Sequence, residues 1–144
     1  MENKIEIKHL EIIQGVINRL ASNSFKMKGW SIGLITAFYA FIFSQSESVA
    51  WHVFLVPLIP AFGFWFLDAY YLRLEKLFRK VYDRVVDCHN GIRTDYKPFD
   101  MNHERFKNDV PCTLCLMIWN RSVTVFHLPL IGIVITFLIL KLKL

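Results

Sequence analysis

The sequence predicts an all-α fold whose helices cross a lipid bilayer, and three observations carry that expectation. Apolar residues make up 54% of the 144 and aromatic residues 15%, and mean hydropathy is positive, beyond the usual apolar share of a soluble domain. Three long apolar runs, Trp30–Ser44, Val53–Leu67 and Val123–Leu140, dominate the chain. No internal repeat, low-complexity tract or alternating strand pattern competes with them. The length suits one domain, and so short a chain has too little polar surface to cover three such runs as a soluble bundle.

A bilayer-crossing helix needs about 20 mainly apolar residues, with roughly 17 as the lower edge. The third run meets this limit, with polar marks only at Thr124, His127 and Thr136. The first two reach it by extending into Gly29 and into Ser48–His52. The expected organisation is a cytoplasmic amphipathic helix over 1–28, spans over 29–47, 51–68 and 122–140, and a cytoplasmic helix and loop over 69–121. Orientation follows from basic residues, which concentrate on the cytoplasmic side. Lys4, Lys8, Arg19, Lys26 and Lys28 precede the first span, and ten Lys and Arg from Arg73 to Arg121 lie between the second and third. The connection between the first two spans has only Glu47, so its tip near Ser46 is expected outside. Lys141 and Lys143 then fall outside too, against the rule, and leave open a third run that re-enters or lies partly in the interface. No leader pattern is visible at the N-terminus. Three cysteines, Cys88, Cys112 and Cys115, make no even set and read as reduced thiols.

The polar segments also read as helical. Leu10, Ile13, Ile17 and Leu20 form one stripe, widened by Ile12 and Val16, opposite Glu11, Gln14, Asn18 and Ser22. After the second span the stripe Tyr70, Leu74, Leu77, Phe78, Val81, Val85 continues without Gly or Pro, so one helix is expected to run unbroken to about Asp87. Glu75–Arg79 and Arg79–Asp83 are i,i+4 pairs on its polar side. Gly91 to Asn108 reads as loop, Asp109 as the cap of a helix that begins near Pro111 and carries Leu114, Ile118 and Trp119 toward the third span, where Pro129 bends it.

Asp68, in FWFLDAYYLRLE, is the first candidate for a functional residue. A carboxylate at the end of a span is unfavourable against lipid and should face a partner, water or a pore. One reading makes it a pore-mouth or oligomer-seam residue, with Tyr70, Arg73, Glu75, Leu74, Leu77 and Phe78 as neighbouring interface candidates. The other pairs it with Lys26, Lys28 or Arg73. His52 and His127 read as interface or packing residues. Arg84 and His89 have the R-x-x-x-x-H spacing of a ribonuclease motif, against a solvated basic helix end as the plainer reading. Cys112 and Cys115 form C-x-x-C, with Cys88, His89 and His103 upstream. Structural zinc needs four converging ligands, and only one pair here has metal-like spacing, so no metal or other cofactor is expected. Without a phosphate loop, nucleophile elbow or paired carboxylates the chain is not expected to be an enzyme. Acids at Asp83, Asp87, Asp95, Asp100, Glu104 and Asp109 dilute the basic field, which suits leaflet lipid better than nucleic acid.

The string HLEIIQGVINRLASNSFKMKGW, with PAFGFWFLDAYYLRLEKLFRKVYDRV after it, resembles a family of small bacterial membrane proteins. The resemblance rests on His9-Leu10-Glu11, Ile17, Arg19, Asn23-Ser24-Phe25, Lys28-Gly29-Trp30, Phe64-Trp65, Leu67-Asp68-Ala69-Tyr70, Arg73, Glu75 and Phe78-Arg79, over about the first 60% of the chain. Such proteins are similar to multi-span components of anti-phage and CRISPR-associated loci. The resemblance implies an inner-membrane effector that perturbs the bilayer, and it carries over no catalytic residue. Three functions follow as expectations: a homo-oligomeric membrane effector, pore-forming or otherwise membrane-perturbing; an anchor docking a cytoplasmic protein or nucleotide-signal partner; and a membrane-bound ribonuclease using Arg84 and His89. Gly33 and Ala37, four apart on the first span, permit the close helix contact an oligomer needs.

Overall fold

The computed structural model describes residues 2–45 and 49–143; the expected external tip near Ser46 and Glu47 lies outside the described residues. Four α-helices follow in order: α1 (Glu2–Ser44), α2 (Leu58–His89), α3 (Thr113–Trp119) and α4 (Arg121–Lys143), with 3₁₀ turns at Trp51–Leu55 and His103–Phe106. No strand occurs among the described residues. Among the described residues three helical stretches are long and apolar enough to cross a membrane.

α1 is a single helix of 43 residues, so the amphipathic segment and the first apolar run are not separate elements. Gly29 at their junction lowers helix propensity but breaks no backbone hydrogen bond, and no proline intervenes. α2 likewise runs unbroken through Asp68 to His89, as its stripe predicts. It ends because Gly91 takes φ 72°, the left-handed turn that lets Ile92 N–H reach the Asp87 carbonyl at 2.9 Å and Gly91 N–H the Cys88 carbonyl at 3.1 Å.

The second apolar run falls within the helical stretch Trp51–His89; it opens with the 3₁₀ turn, and α2 starts only after Pro57, whose missing N–H suits a helix start. Two expectations are corrected here. The helix after the loop is capped by Cys112, not Asp109; the Cys112 sulfur accepts the Cys115 N–H, while Asp109 N–H turns back to the Phe106 carbonyl. That helix does not flow into the third apolar run, because Asn120 is extended (φ −82°, ψ 116°) and starts α4 afresh, its side chain accepting the Ser122 N–H at 3.0 Å. α4 then runs through Pro129 as one helix.

α1 and α2 form a long antiparallel pair, with Glu6 beside His89 at one end and Tyr39 near Phe54 at the other. Three buried clusters run along it. Ile13, Ile17, Val81 and Val85 close the first; Ala69, Leu77, Val110, Leu116 and Val123 the second; Ile35, Tyr39, Ile42, Phe54, Ala61 and Val134 the third. The accessible surface is 9417 Å², against about 7,700 Å² for a compact monomer of this mass. The excess is apolar: only 22%, 28% and 17% of the residues in the three most apolar helical windows are buried. Such a surface suits lipid and not water.

Candidate functional site: a buried carboxylate where three helices meet

Each of the three apolar helices carries polar residues near the same level, and the fold gathers them. Ser24 and Lys28 are one turn apart on α1 and so share a face. Asp68 faces them from α2 and His127 from α4. Asp68 is completely buried and His127 is 1% exposed. Lys28 Nζ lies 2.7 Å from Asp68 Oδ1 and 2.6 Å from Oδ2. Ser24 Oγ donates to Oδ1, and His127 Nε2 sits 3.1 Å from Oδ2, the donor position for a protonated Nε2. The carboxylate therefore has a donor from every helix around it.

Neighbouring rings hold the donors in place. The His127 ring stacks on Trp65 with centroids 6.1 Å apart and planes 13° apart. Trp65 Nε1–H donates to the Met117 carbonyl at 3.0 Å and so ties α2 to α3. Lys28 Nζ lies 6.0 Å from the Phe126 ring centroid, within cation–π range. Burying one carboxylate and one ammonium is costly, and close pairing with further hydrogen bonds offsets that cost. Chemically the group is a clamp: it holds three helices in one register, since sliding any of them by a turn would strand a buried charge.

Of the two readings of Asp68 the pairing one is seen: the protomer satisfies the carboxylate, with Lys28 of the three basic partners considered. Ser24 was not singled out, and His127 was read as packing. The available signal was that each long apolar run carries a polar residue near one end, which an antiparallel hairpin brings level.

The other candidates do not assemble around Asp68. Leu77 is buried beneath Val110, Leu116 and Val123 with Leu74 beside it, and Phe78 packs toward Ile13 and Ile17; the stripe is covered within one chain, not left for another. Tyr70 is 41% exposed against Tyr71. Arg73 reaches the Lys107 carbonyl at 3.4 Å, and Glu75 pairs with Arg79 at 2.8 Å, as the i,i+4 spacing predicts. Arg84 binds Asp95, while His89 Nδ1 lies 2.7 Å from Glu6. Five residues on a continuous helix are about 140° apart around its axis, so the two ribonuclease candidates face different partners. Among the described residues no group of three or more His, Cys, Asp or Glu is placed to hold a metal. Cys112 and Cys115 are joined as a disulfide, which overturns the reading of three reduced thiols.

A second buried polar centre lies near the other end of the α1–α2 pair. His9 is fully buried, its ring against Tyr96 and Phe99. Tyr96 Oη lies 3.5 Å from Nδ1, while Nε2 has no hydrogen-bond partner. A cavity of about 20 Å³ beside it is lined by Arg84, Cys88, Asp95, Asp100 and Arg105 among others. Phe99 holds φ 57°, a left-handed conformation strained for an aromatic residue. Burial pushes the His9 imidazole pKa down, against the pull of Asp100. No family model matches the chain, and neither the curated proteins nor the solved structures hold a significant match to it.

Proposed function

We propose that the protein is a three-span inner-membrane effector that works as a homo-oligomer, with α1 carrying the contact between copies. The observation behind this reading is an open face on that helix. Gly29 and Gly33 lie four apart, and a Cβ built at either meets nothing within 4 Å. Phe25, Lys26, Trp30 and Leu34 flank them in an open groove, and Ala37 extends the exposed face. Small residues at this spacing let two backbones approach closely in lipid, where van der Waals contact rather than apolar burial drives association. In this reading a leak runs between several copies arranged about an axis. In this reading the Asp68 cluster is the internal clamp of each protomer, and the basic residues of 1–28 and 69–121 face the cytoplasm.

Particle mass in detergent tests the assembly. We expect a multiple of the 17.0 kDa chain, falling to a single chain in Gly33→Leu with helix content retained. A single-chain particle for the unsubstituted protein would overturn the oligomer. Dye release from vesicles separates the effector from its rival: an assembled particle that releases no dye leaves an anchor for a cytoplasmic partner as the function.

A further inference from the structure

We infer that Cys112 and Cys115 are a redox-active pair, which opens to a dithiol and closes to a disulfide by exchange with a soluble dithiol, and that its state sets how tightly the start of α3 is held. The two residues are disulfide-linked with Cα atoms 5.1 Å apart, inside the roughly 4.4–6.8 Å that disulfides span. Both are exposed, so an incoming thiol can reach them. Cys112 stands at the N-cap of α3, where its sulfur accepts the Cys115 N–H at 3.2 Å. That hydrogen bond gives the Cys112 sulfur a donor when the pair opens. The third cysteine supplies the contrast. Cys88 is partly buried with Sγ 3.8 Å from an Asp95 carboxylate oxygen, and burial together with that carboxylate pushes its thiol pKa up.

The exchange balances with a dithiol as co-reactant. A thiolate of the dithiol bonds to Cys115 Sγ; the Cys112–Cys115 bond breaks, and Cys112 leaves as a thiolate held by the Cys115 amide. The second sulfur of the dithiol then attacks its own first sulfur, closes a ring disulfide and releases Cys115. Two electrons and two protons pass to the protein. The consequence is local. The far end of α3 is fixed by Trp65 Nε1 and Thr124 Oγ1, which both donate to the Met117 carbonyl, and by buried Leu116. Its first turn depends on the sulfur pair and the cap. On the cytoplasmic side proposed above, dithiol reductants open the pair and oxidation closes it.

The test uses the full-length protein in phospholipid nanodiscs, equilibrated with graded ratios of reduced to oxidised dithiothreitol, alkylated and weighed intact. We expect one reversible transition in which Cys112 and Cys115 lose their alkyl groups together while Cys88 keeps its own. In the reduced protein Cys112, which is exposed, should alkylate at least about tenfold faster than the partly buried Cys88. Cys112→Ser and Cys115→Ser should each abolish the transition; a serine at 112 can still cap the helix, so folding is retained. Amide exchange over 113–116 should be slower in the oxidised state. A pair that stays reduced at every ratio, one that stays closed in excess reductant, or disulfides formed between chains would each overturn the redox assignment. Equal amide exchange in the two states would overturn the link to α3.

Discussion

Two halves of the molecule are held together by different physics. In the half toward Ser44, the helices meet around Tyr39, Phe54 and Val134, yet Phe41, Phe43, Ile133 and Leu128 point outward at 64%, 60%, 48% and 55% exposure. If lipid covers those faces, apolar burial between helices adds little there, because hydrocarbon is as good a partner as another leucine. In the other half, Ile13, Ile17, Val81 and Val85 are sealed between α1 and α2, and charged residues line the outside, so the hydrophobic effect acts in the ordinary way. Between them the Asp68 cluster uses neither: its strength is polar and its geometry specific. The contrast teaches that cohesion here is set by what surrounds each level of the hairpin, not by how apolar that level is.

The largest expected effect tests the clamp. Asp68→Ala strips the acceptor from Lys28 and His127 and leaves a buried charge uncompensated, a loss of about 3–5 kcal/mol. Thermal unfolding in detergent should register it, and Asp68→Asn, which retains an acceptor oxygen, should lose less. A change below about 1 kcal/mol for the alanine variant would mean the cluster is incidental to stability. Next comes the half with the charged exterior: Leu77, 2% exposed, should lose about 3 kcal/mol on truncation to alanine. Chymotrypsin susceptibility of the 95–110 segment would report it, and resistance equal to that of the unsubstituted protein contradicts the buried cluster.

A pH effect sharpens the comparison further, because the polar half buries an imidazole, that of His9. The His9 imidazole is held below its ordinary value of 6.5. Its contribution to stability is therefore present above that value and falls away as pH drops below it, when the unfolded chain takes up a proton that the buried ring resists. Hydrogen exchange over 95–106, corrected for intrinsic rate, should quicken below pH 6.5, and His9→Leu should flatten that dependence. Tyr96, Asp95, Asp100, Arg84 and Arg105 share the surroundings, so an unchanged slope in His9→Leu assigns the effect to them instead. The smallest effect belongs to the apolar half. Ile133→Ala, on an exposed face of α4, should shift stability by less than about 0.5 kcal/mol; a core-sized loss would show that this face is covered by protein.

The sequence by itself determined the helices and their apolar extent. Hydrophobic periodicity and run length are local properties, which is why α2 could be followed unbroken across Asp68 to near its end, and why the third run falls wholly within α4. Local chemistry also misled where two nearby residues competed for one role: Asp109 and Cys112 both precede the Pro111–Thr113 helix start, and only chain direction decided that the sulfur caps it. Partner choice lay beyond the sequence. Lys26, Lys28 and Arg73 were equal candidates for Asp68 until the antiparallel packing of α1 on α2 brought Lys28 level with it, and His127 joined only because α4 returns along the same groove. The stripe through Leu77 and Val81 had the same ambiguity: an apolar face demands a cover, but its periodicity is identical whether the cover is a neighbouring molecule or, as here, residues 13–17 and 110–123 of the same chain. Long-range contacts of this kind are decided by topology and depth, which no local pattern of residues encodes.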